Sequence, residues 1–326
     1  MKILQIDRNG YYGSESASLN LTNMWSKFRD DQKVPSKYGE NRDWNVDLIP
    51  KFILANGSLV KLLLQTTVSQ YLEWKPIDGI FVYQWDKGGM FSSAKGKIKK
   101  VPSNDSEALS SDLMGMFEKN RCRKFFQFIQ AYDVNDKKSQ KGLSPEVPFN
   151  KVVEEYGLET NTIDFIGHAV ALYTNDDFLE KPSGKTIDKI KLYSSSVGLY
   201  GDSAFLYPVW GLSGLSESFS RMCALHGGTY MLNTECEKVH FNEDGTFEGI
   251  SNKDGKAYAK ILISEPSYVL PYEKVKSMGK VIRLICILDH PIPKTNEVPS
   301  CQIILPQRQI GRKNGRLISR HFHRKR

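Results

Sequence analysis

Residues 7–19, DRNGYYGSESASL, constrain what this chain can fold into more than any other stretch. The apolar residues Ile3, Leu4 and Ile6 lead into it and predict a short buried strand ending at Asp7. Gly10 and Gly13 supply a turn. A helix is predicted from about Ser14, with Glu15 where the positive end of the helix dipole favours an acid. Ala17, Leu21, Met24 and Phe28 fall at helical spacing, so this helix has one apolar face to lay on a sheet. A strand tipped by an acid suits the ribose of a dinucleotide, which raises a flavoenzyme; an ordinary strand–turn–helix with a satisfied Asp is the plainer reading. The two adjacent tyrosines, Tyr11 and Tyr12, fit neither reading in particular.

A chain of 326 residues predicts two domains. A hydrophobic share of 40 % is that of an ordinary globular protein, no apolar run approaches the length of a membrane helix, and no signal peptide is expected. The five cysteines are odd in number and without paired spacing, which predicts reduced thiols in a cytosolic protein. The six histidines form no metal-ligand spacing with them, so no metal is expected. The net charge of +8 hints at an anionic partner until it is located. Seven Lys and Arg, and no acid, lie between 312 and 326, so nearly all of the excess belongs to the tail. Nucleic acid is not an expected partner.

Along the chain, Pro50 begins a predicted short helix that Asn56-Gly57 stop. Runs 71–77 and 80–85 read as strands joined by a hairpin at Asp78-Gly79. Residues 86–100, rich in Gly, Ser and Lys, read as an exposed loop. Leu109, Leu113, Met116 and Phe117 give one helical stripe, and Phe125, Phe126 and Ile129 another. Further helices are predicted over 149–156, 162–173 and 186–200, making 106–200 a nearly all-helical insertion between strand-bearing segments. A helix over 216–226 ends at Gly227-Gly228, and a strand over 229–233 follows. A hairpin then turns at Asp244-Gly245. The continuous apolar runs 259–264 and 281–288 predict strands buried on both faces, and 301–305 one more. Beyond Pro306 there is no apolar period, and disorder is expected.

Catalytic chemistry finds little support. No histidine sits in a recognisable nucleophile context. Lys87-Gly88-Gly89 and His226-Gly227-Gly228 are poor phosphate cradles, the second because it ends a helix. Six residues before Asp7 leave no room for a preceding strand with Gly-x-Gly-x-x-Gly, so no cofactor is expected and the chain reads as a two-domain interaction protein.

Three stretches converge on one family. DRNGYYGSESAS (7–18), RDWNVDLIPKFILANG (42–57) and FSRMCALHGGTYMLN (219–233) resemble the Rab GDP dissociation inhibitors. The segments VPS (101–103), LMGMFEKNRCRKF (113–125), IDFIGHAVALY (163–173), IKLYSSS (190–196) and SCQIILPQ (300–307) agree. The related Rab escort proteins share the double-tyrosine turn, but the wording from Arg42 to Phe52 is that of the inhibitors. The resemblance implies an α/β (α+β) fold, a flavin-monooxygenase-like sheet domain without flavin and with an inserted all-helical domain. Residues 1–105 with 201–306 would hold the GTPase, 106–200 would shelter prenyl lipid, and 307–326 would be the disordered basic tail.

The implied partners are GDP-bound, geranylgeranylated Rab GTPases, their prenyl lipid and, transiently, a membrane surface, with a cytoplasmic location and no enzymatic activity. The Rab-binding platform would fall on Tyr12, Arg42, Arg221, Thr229 and Met231, and a mobile loop on Ser203 and Phe205. Leu113, Met116, Phe125, Ile129, Ile163, Ile166 and Val170 would supply the lipid site.

The chain also departs from the family pattern. Gly214 stands where an acid is usual, so that contact is lost or moves to Glu217 one turn later. Leu199 and Asp202 replace basic residues in the mobile loop, the turn reads Tyr-Tyr-Gly-Ser, and the loop over 85–96 is longer. The family's first strand and closing strands are not found, which predicts exposed sheet edges. An escort protein presenting Rab to a prenyltransferase, a truncated non-functional product and a flavin-dependent oxidoreductase are the alternative readings.

Overall fold

The predicted strand forms over Leu4–Ile6 and runs parallel to Thr229–Met231, with Leu4 opposite Thr229 and Ile6 opposite Met231, but it is not the buried strand expected: Leu4 is exposed and Gln5 and Ile6 are half-buried. The computed structural model describes residues 2–29, 33–86, 88, 95–103, 105–311 and 317–322. Met1–Lys51, Thr67–Glu73 and Pro208–Ile287 make one compact unit; Phe52–Thr66, Trp74–Tyr207 and Leu288–Arg326 make the other.

In the first unit, the predicted opening helix is displaced. Gly13 and Ser14 both take positive φ, at 99° and 46°, and Ala17 is extended, so the chain makes only the 3₁₀ turn Ser14–Ser16 there and cannot begin an α-helix. Instead Ser18–Leu19 pairs antiparallel with Val46–Asp47. The helix runs over Leu21–Phe28, capped where the Asn20 side chain accepts the Asn23 N–H at 2.9 Å. Ala17, Leu19, Leu21, Met24 and Leu48 form its core, flanked by Trp25, Tyr38 and Trp44. The helix Ser213–Leu225 and the antiparallel meander Lys238–Phe241, Phe247–Asn252 and Gly255–Tyr258 complete the regular structure, the hairpin turning at Asp244-Gly245 as expected.

The apolar runs 259–264 and 281–287 are not strands, and Ile263 and Ile282 are 94 % and 95 % exposed. A continuous apolar run predicts two-sided burial only where two layers arrive to cover it, and among the described residues none do.

The second unit holds a four-stranded sheet in the order Leu317–Phe322, Ser300–Leu305, Gly79–Asp86, Lys95–Lys100. Ser300–Leu305 lies parallel to Gly79–Asp86, and the outer pairings are antiparallel. Several sequence expectations fail here. Asp78-Gly79 is not a hairpin: Trp74–Pro76 joins a separate sheet with Ile53–Leu54 and Phe205–Pro208, and Asp78 instead bonds through its N–H and carboxylate to the Ser300 hydroxyl. Gly79 answers a packing need, since a Cβ there would stand 2.5 Å from Phe81 Cε2.

The segment read as a loop over 86–100 contains the strand Lys95–Lys100, whose Ile98 packs on the Phe81, Cys301 and Ile303 cluster; Lys87 and 89–94 lie outside the described residues. The tail read as disordered forms a 3₁₀ turn, Arg308–Ile310, and the strand Leu317–Phe322. Backbone pairing needs a free edge, which Ser300–Leu305 offers, and no side-chain period. Residues 312–316 and 323–326 lie outside the described residues. In the same unit, Ile53–Leu54 replaces the helix expected from Pro50, and Gly57 starts the helix Ser58–Gln65 instead of stopping one.

The helical stretch appears as predicted, with Asp105–Ser110, Met116–Ala131, Phe149–Glu155, Thr160–Asp164 and Gly184–Ser196 as its principal α-helices. A π-helical segment, Phe165–Val170, continues Thr160–Asp164 and is wholly buried. There Gly167 lies against the Phe178 ring, itself stacked on Tyr173 with centroids 4.8 Å apart. A methyl at 167 would overlap a ring that has nowhere to go. Gly167→Ala is expected to cost about 1–3 kcal/mol, read as a lower denaturant midpoint.

Candidate functional site

In the first unit a recess of about 420 Å³ opens between the Gly10–Tyr12 turn, the Ser213–Leu225 helix and the Thr229–Met231 strand. Tyr12, Glu217, Ser220, Arg221, Tyr230 and Leu232 are among its lining residues. Two of the predicted platform residues, Tyr12 and Arg221, therefore meet on one surface although far apart in sequence. The Arg221 guanidinium lies over the Tyr71 ring, 4.8 Å from its centroid, a cation–π contact that fixes its direction. Tyr12 meets Tyr230 edge to face at 6.2 Å. The Tyr230 hydroxyl, pushed up to about 12 by burial and then by its hydrogen bond with Cys223, also bonds Ser220 and so is held by two residues of the helix.

Strand alternation separates the remaining candidates. Thr229 and Met231 are exposed and project to the face opposite Tyr230, away from the recess-lining ring. Arg42 is exposed on a 3₁₀ turn, Asn41–Asp43, outside the recess. The sequence reading did not single out Tyr230 and Ser220; the available signal was the one-residue offset of Tyr230 from Thr229 and Met231.

A buried carboxylate holds the helix to the turn. Asp47 Oδ1 accepts the Ser18 hydroxyl at 2.5 Å and the Leu212 N–H at 2.9 Å, beside the helix N-terminus where an anion is favoured. The Ser213 N–H donates to Ser18 Oγ at 2.9 Å, while Ser213 Oγ accepts the Ser18 N–H at 2.6 Å and donates to the Tyr12 carbonyl at 3.4 Å. Gly211, at φ +84°, passes so close that a Cβ would lie 2.5 Å from Ser18 Oγ. Asp7, read as a possible ribose ligand, is buried, and its Oδ1 accepts both the backbone and side-chain N–H groups of Asn9 at 2.9 Å. It shapes its own turn.

The turn has a second anchor. Ser14 Oγ donates to Glu265 Oε2 at 2.5 Å, and Arg8 reaches Ser267 Oγ at 2.8 Å and stacks on Tyr268. Burial raises the Glu265 carboxyl, but hydrogen bonds from Ser14 and Ser267 and the Arg8 charge outweigh it and hold it below its ordinary range.

The other sequence-predicted residues belong to the second unit. Ser203 and Phe205 are buried, and Ser203 Oγ accepts the Phe205 N–H. Leu113, Phe125, Ile129, Ile166 and Val170 are buried and Ile163 half-buried, whereas Met116 is 75 % exposed beside Phe117 at 85 %. The stripe expected of Leu109, Leu113, Met116 and Phe117 is thus split, with only Leu113 covered. Asp164, His168 and Asp176 bring metal-ligating atoms within 4.8 Å of one another. Those atoms are already engaged. His168 Nδ1 donates to the Tyr173 carbonyl and Nε2 meets Asp176 Oδ1 at 3.0 Å. Asp176 Oδ2 accepts from Gln307 and Arg308, and Asp164 Oδ2 accepts from Gln309. With a guanidinium on Asp176, the set fits a latch on the 307–309 segment and does not fit a metal centre.

Asp47→Ala strands the Leu212 N–H and the Ser18 hydroxyl. It is expected to cost about 2–3 kcal/mol, with faster amide exchange confined first to 10–19 and 211–216. Because the Glu265 carboxyl is depressed in the folded state, its contribution is complete above the ordinary glutamate range and lost as pH falls through the folded value. Amide exchange at 7–16 is expected to quicken on acidification below about pH 4, and Glu265→Gln to remove that dependence.

The family model described as GDI, GDP dissociation inhibitor, matches residues 1–321. A guanosine nucleotide diphosphate dissociation inhibitor of Arabidopsis thaliana is 48 % identical over 316 residues, covering 96 % of this chain and 68 % of the relative. Guanosine nucleotide diphosphate dissociation inhibitor 2 of the same plant is 46 % identical with the same coverage. Among solved structures, the Rab GDI from Plasmodium falciparum superposes with a TM-score of 0.90 at 48 % identity, covering 98 % of this chain and 72 % of that one. With its mixed α/β architecture and these matches along nearly its whole length, the chain belongs to the GDP dissociation inhibitor family.

Proposed function

We propose that this protein binds Rab GTPases in their GDP-bound, geranylgeranylated form, slows GDP release, and carries them between membranes through the cytoplasm. The observation that carries the reading is the convergence of Tyr12 and Arg221 on one recess in a member of this family. An aromatic ring with a polar tip and a guanidinium fork offer a partner both apolar contact and directed hydrogen bonds. Arg42, Thr229 and Met231, exposed but outside the recess, supply further contacts to the same partner, and Ser203 and Phe205 contribute only if their segment rearranges.

The helical region 106–200 shelters the lipid. Each CH₂ is worth ~0.8 kcal/mol, so exposing a twenty-carbon prenyl chain to water costs on the order of 10–15 kcal/mol, and a carrier must supply an apolar host. Leu113, Phe125, Ile129, Ile166 and Val170 are closely covered and Ile163 half so, which makes Met116 with Leu109 and Phe117 the accessible entrance, the interior opening as lipid enters. None of the described helices is long and apolar enough to cross a membrane.

The test is co-purification with prenylated, GDP-loaded Rab. Arg221→Ala is expected to weaken the complex about tenfold, in line with the truncation of an interface arginine. Equal binding to GTP-loaded or unprenylated Rab would overturn the reading.

A further inference from the structure

The Met116–Ala131 helix carries four basic residues and a single acid. The acid, Glu118, is buried, where it accepts the Arg121 Nε–H at 2.7 Å and the Glu159 N–H at 2.8 Å. Acids just before the helix are engaged as well: Asp112 pairs with Lys99 and Glu107 with Lys100, both lysines of the Lys95–Lys100 strand. Arg123 and Lys124 are exposed, and among the described residues neither forms an ion pair. Residues seven apart share a helix face, so these two cations stand two turns behind Met116 and Phe117 on one exposed stripe. Lys119 Nζ donates to the Leu109 carbonyl at 2.6 Å, which sets Leu109, also exposed, beside the first turn.

The outcome is an apolar tip with unpaired cations behind it. At a rise of 1.5 Å per residue the charges lie about 10 Å back from the tip. An interfacial apolar face sinks about that far below lipid headgroups. A layer that is anionic outside and apolar just beneath therefore satisfies both parts of the stripe at once. We propose that this end of the helix docks on an anionic membrane, with Leu109, Met116 and Phe117 entering the acyl boundary while Arg123 and Lys124 engage the phosphates and carboxylates of the headgroups. The choice of a bilayer over a protein rests on the lipid-carrier reading above, since the same apolar residues flank the entrance through which a prenyl chain passes from the membrane.

The experiment sediments the full chain, without Rab, with vesicles of phosphatidylcholine alone or with about 30 % phosphatidylserine, whose negative surface attracts basic segments. Wild type is expected to partition about tenfold more strongly onto the anionic vesicles, and less so as salt rises. Arg123→Gln with Lys124→Gln should lower that partition about twentyfold, and Phe117→Ser about tenfold. Thermal unfolding should not move, because all three side chains are exposed. Vesicle binding left unchanged by both variants would put the attraction elsewhere, such as the basic tail, and overturn the assignment. So would an absence of vesicle binding together with a dimer that Phe117→Ser dissolves, the mark of a second copy as occupant. If the vesicle losses appear but no complex forms with prenylated, GDP-loaded Rab, the membrane site stands and the carrier reading falls; the reverse result overturns the site alone.

Discussion

The recess exists because one buried carboxylate ties three segments together. Asp47 reaches the opening turn through Ser18 and the start of the Ser213–Leu225 helix through Leu212, and Ser213 closes the circuit back to Tyr12. A carboxylate in this position is favoured by the helix dipole and satisfies amides that a helix start leaves without intrahelical partners. It also fixes the helix azimuth. With the helix held at its first turn, Ser218 and Ser220 face inward while Glu217 and Arg221 line the opening. Gly211 permits the close approach, and the Ser14–Glu265 bond supports the turn from the other side.

The same economy of polar contacts governs the second unit. His168, nearly inaccessible, lies between the Tyr173 carbonyl and Asp176, and Asp176 in turn holds Gln307 and Arg308. Buried charged groups persist only when paired and hydrogen-bonded, and here the pairing fastens a segment that follows the central strand Ser300–Leu305 onto the helices. Burial pushes the Asp164 carboxyl upward beside it. The network explains why 307–310 is ordered although it has no apolar period.

Exposed apolar side chains occur in both units. In the first, the runs 259–264 and 281–287 leave Ile263 and Ile282 uncovered. In the second, Leu109, Met116 and Phe117 stand open next to a helical core of Phe125, Ile129, Phe149 and Ile166 that is fully closed. Apolar area left in water is unfavourable by about 25 cal/mol per Å², so such surface is a ready host for apolar matter, and on the helical side the proposed prenyl chain is of that kind.

Residues 7–19 illustrate what was legible. The strand leading into them, Leu4–Ile6, and their glycine turn were readable from the sequence because backbone preference acts over a few residues. So were the helical stretch, the Asp244-Gly245 hairpin and the family resemblance. What the sequence could not state was coverage. Local preference points to an α-helix at Ser14 although its φ is positive, to a hairpin at Asp78-Gly79 although Ser300 claims it, and to a buried strand at 281–288 although most of that run is exposed. Whether an apolar run is core, and whether Glu217 or Thr229 faces the recess, is settled by residues up to some two hundred positions away. The local conformational preferences were therefore the sequence's own, whereas burial, strand partners and the direction of each charge were decided by long-range packing.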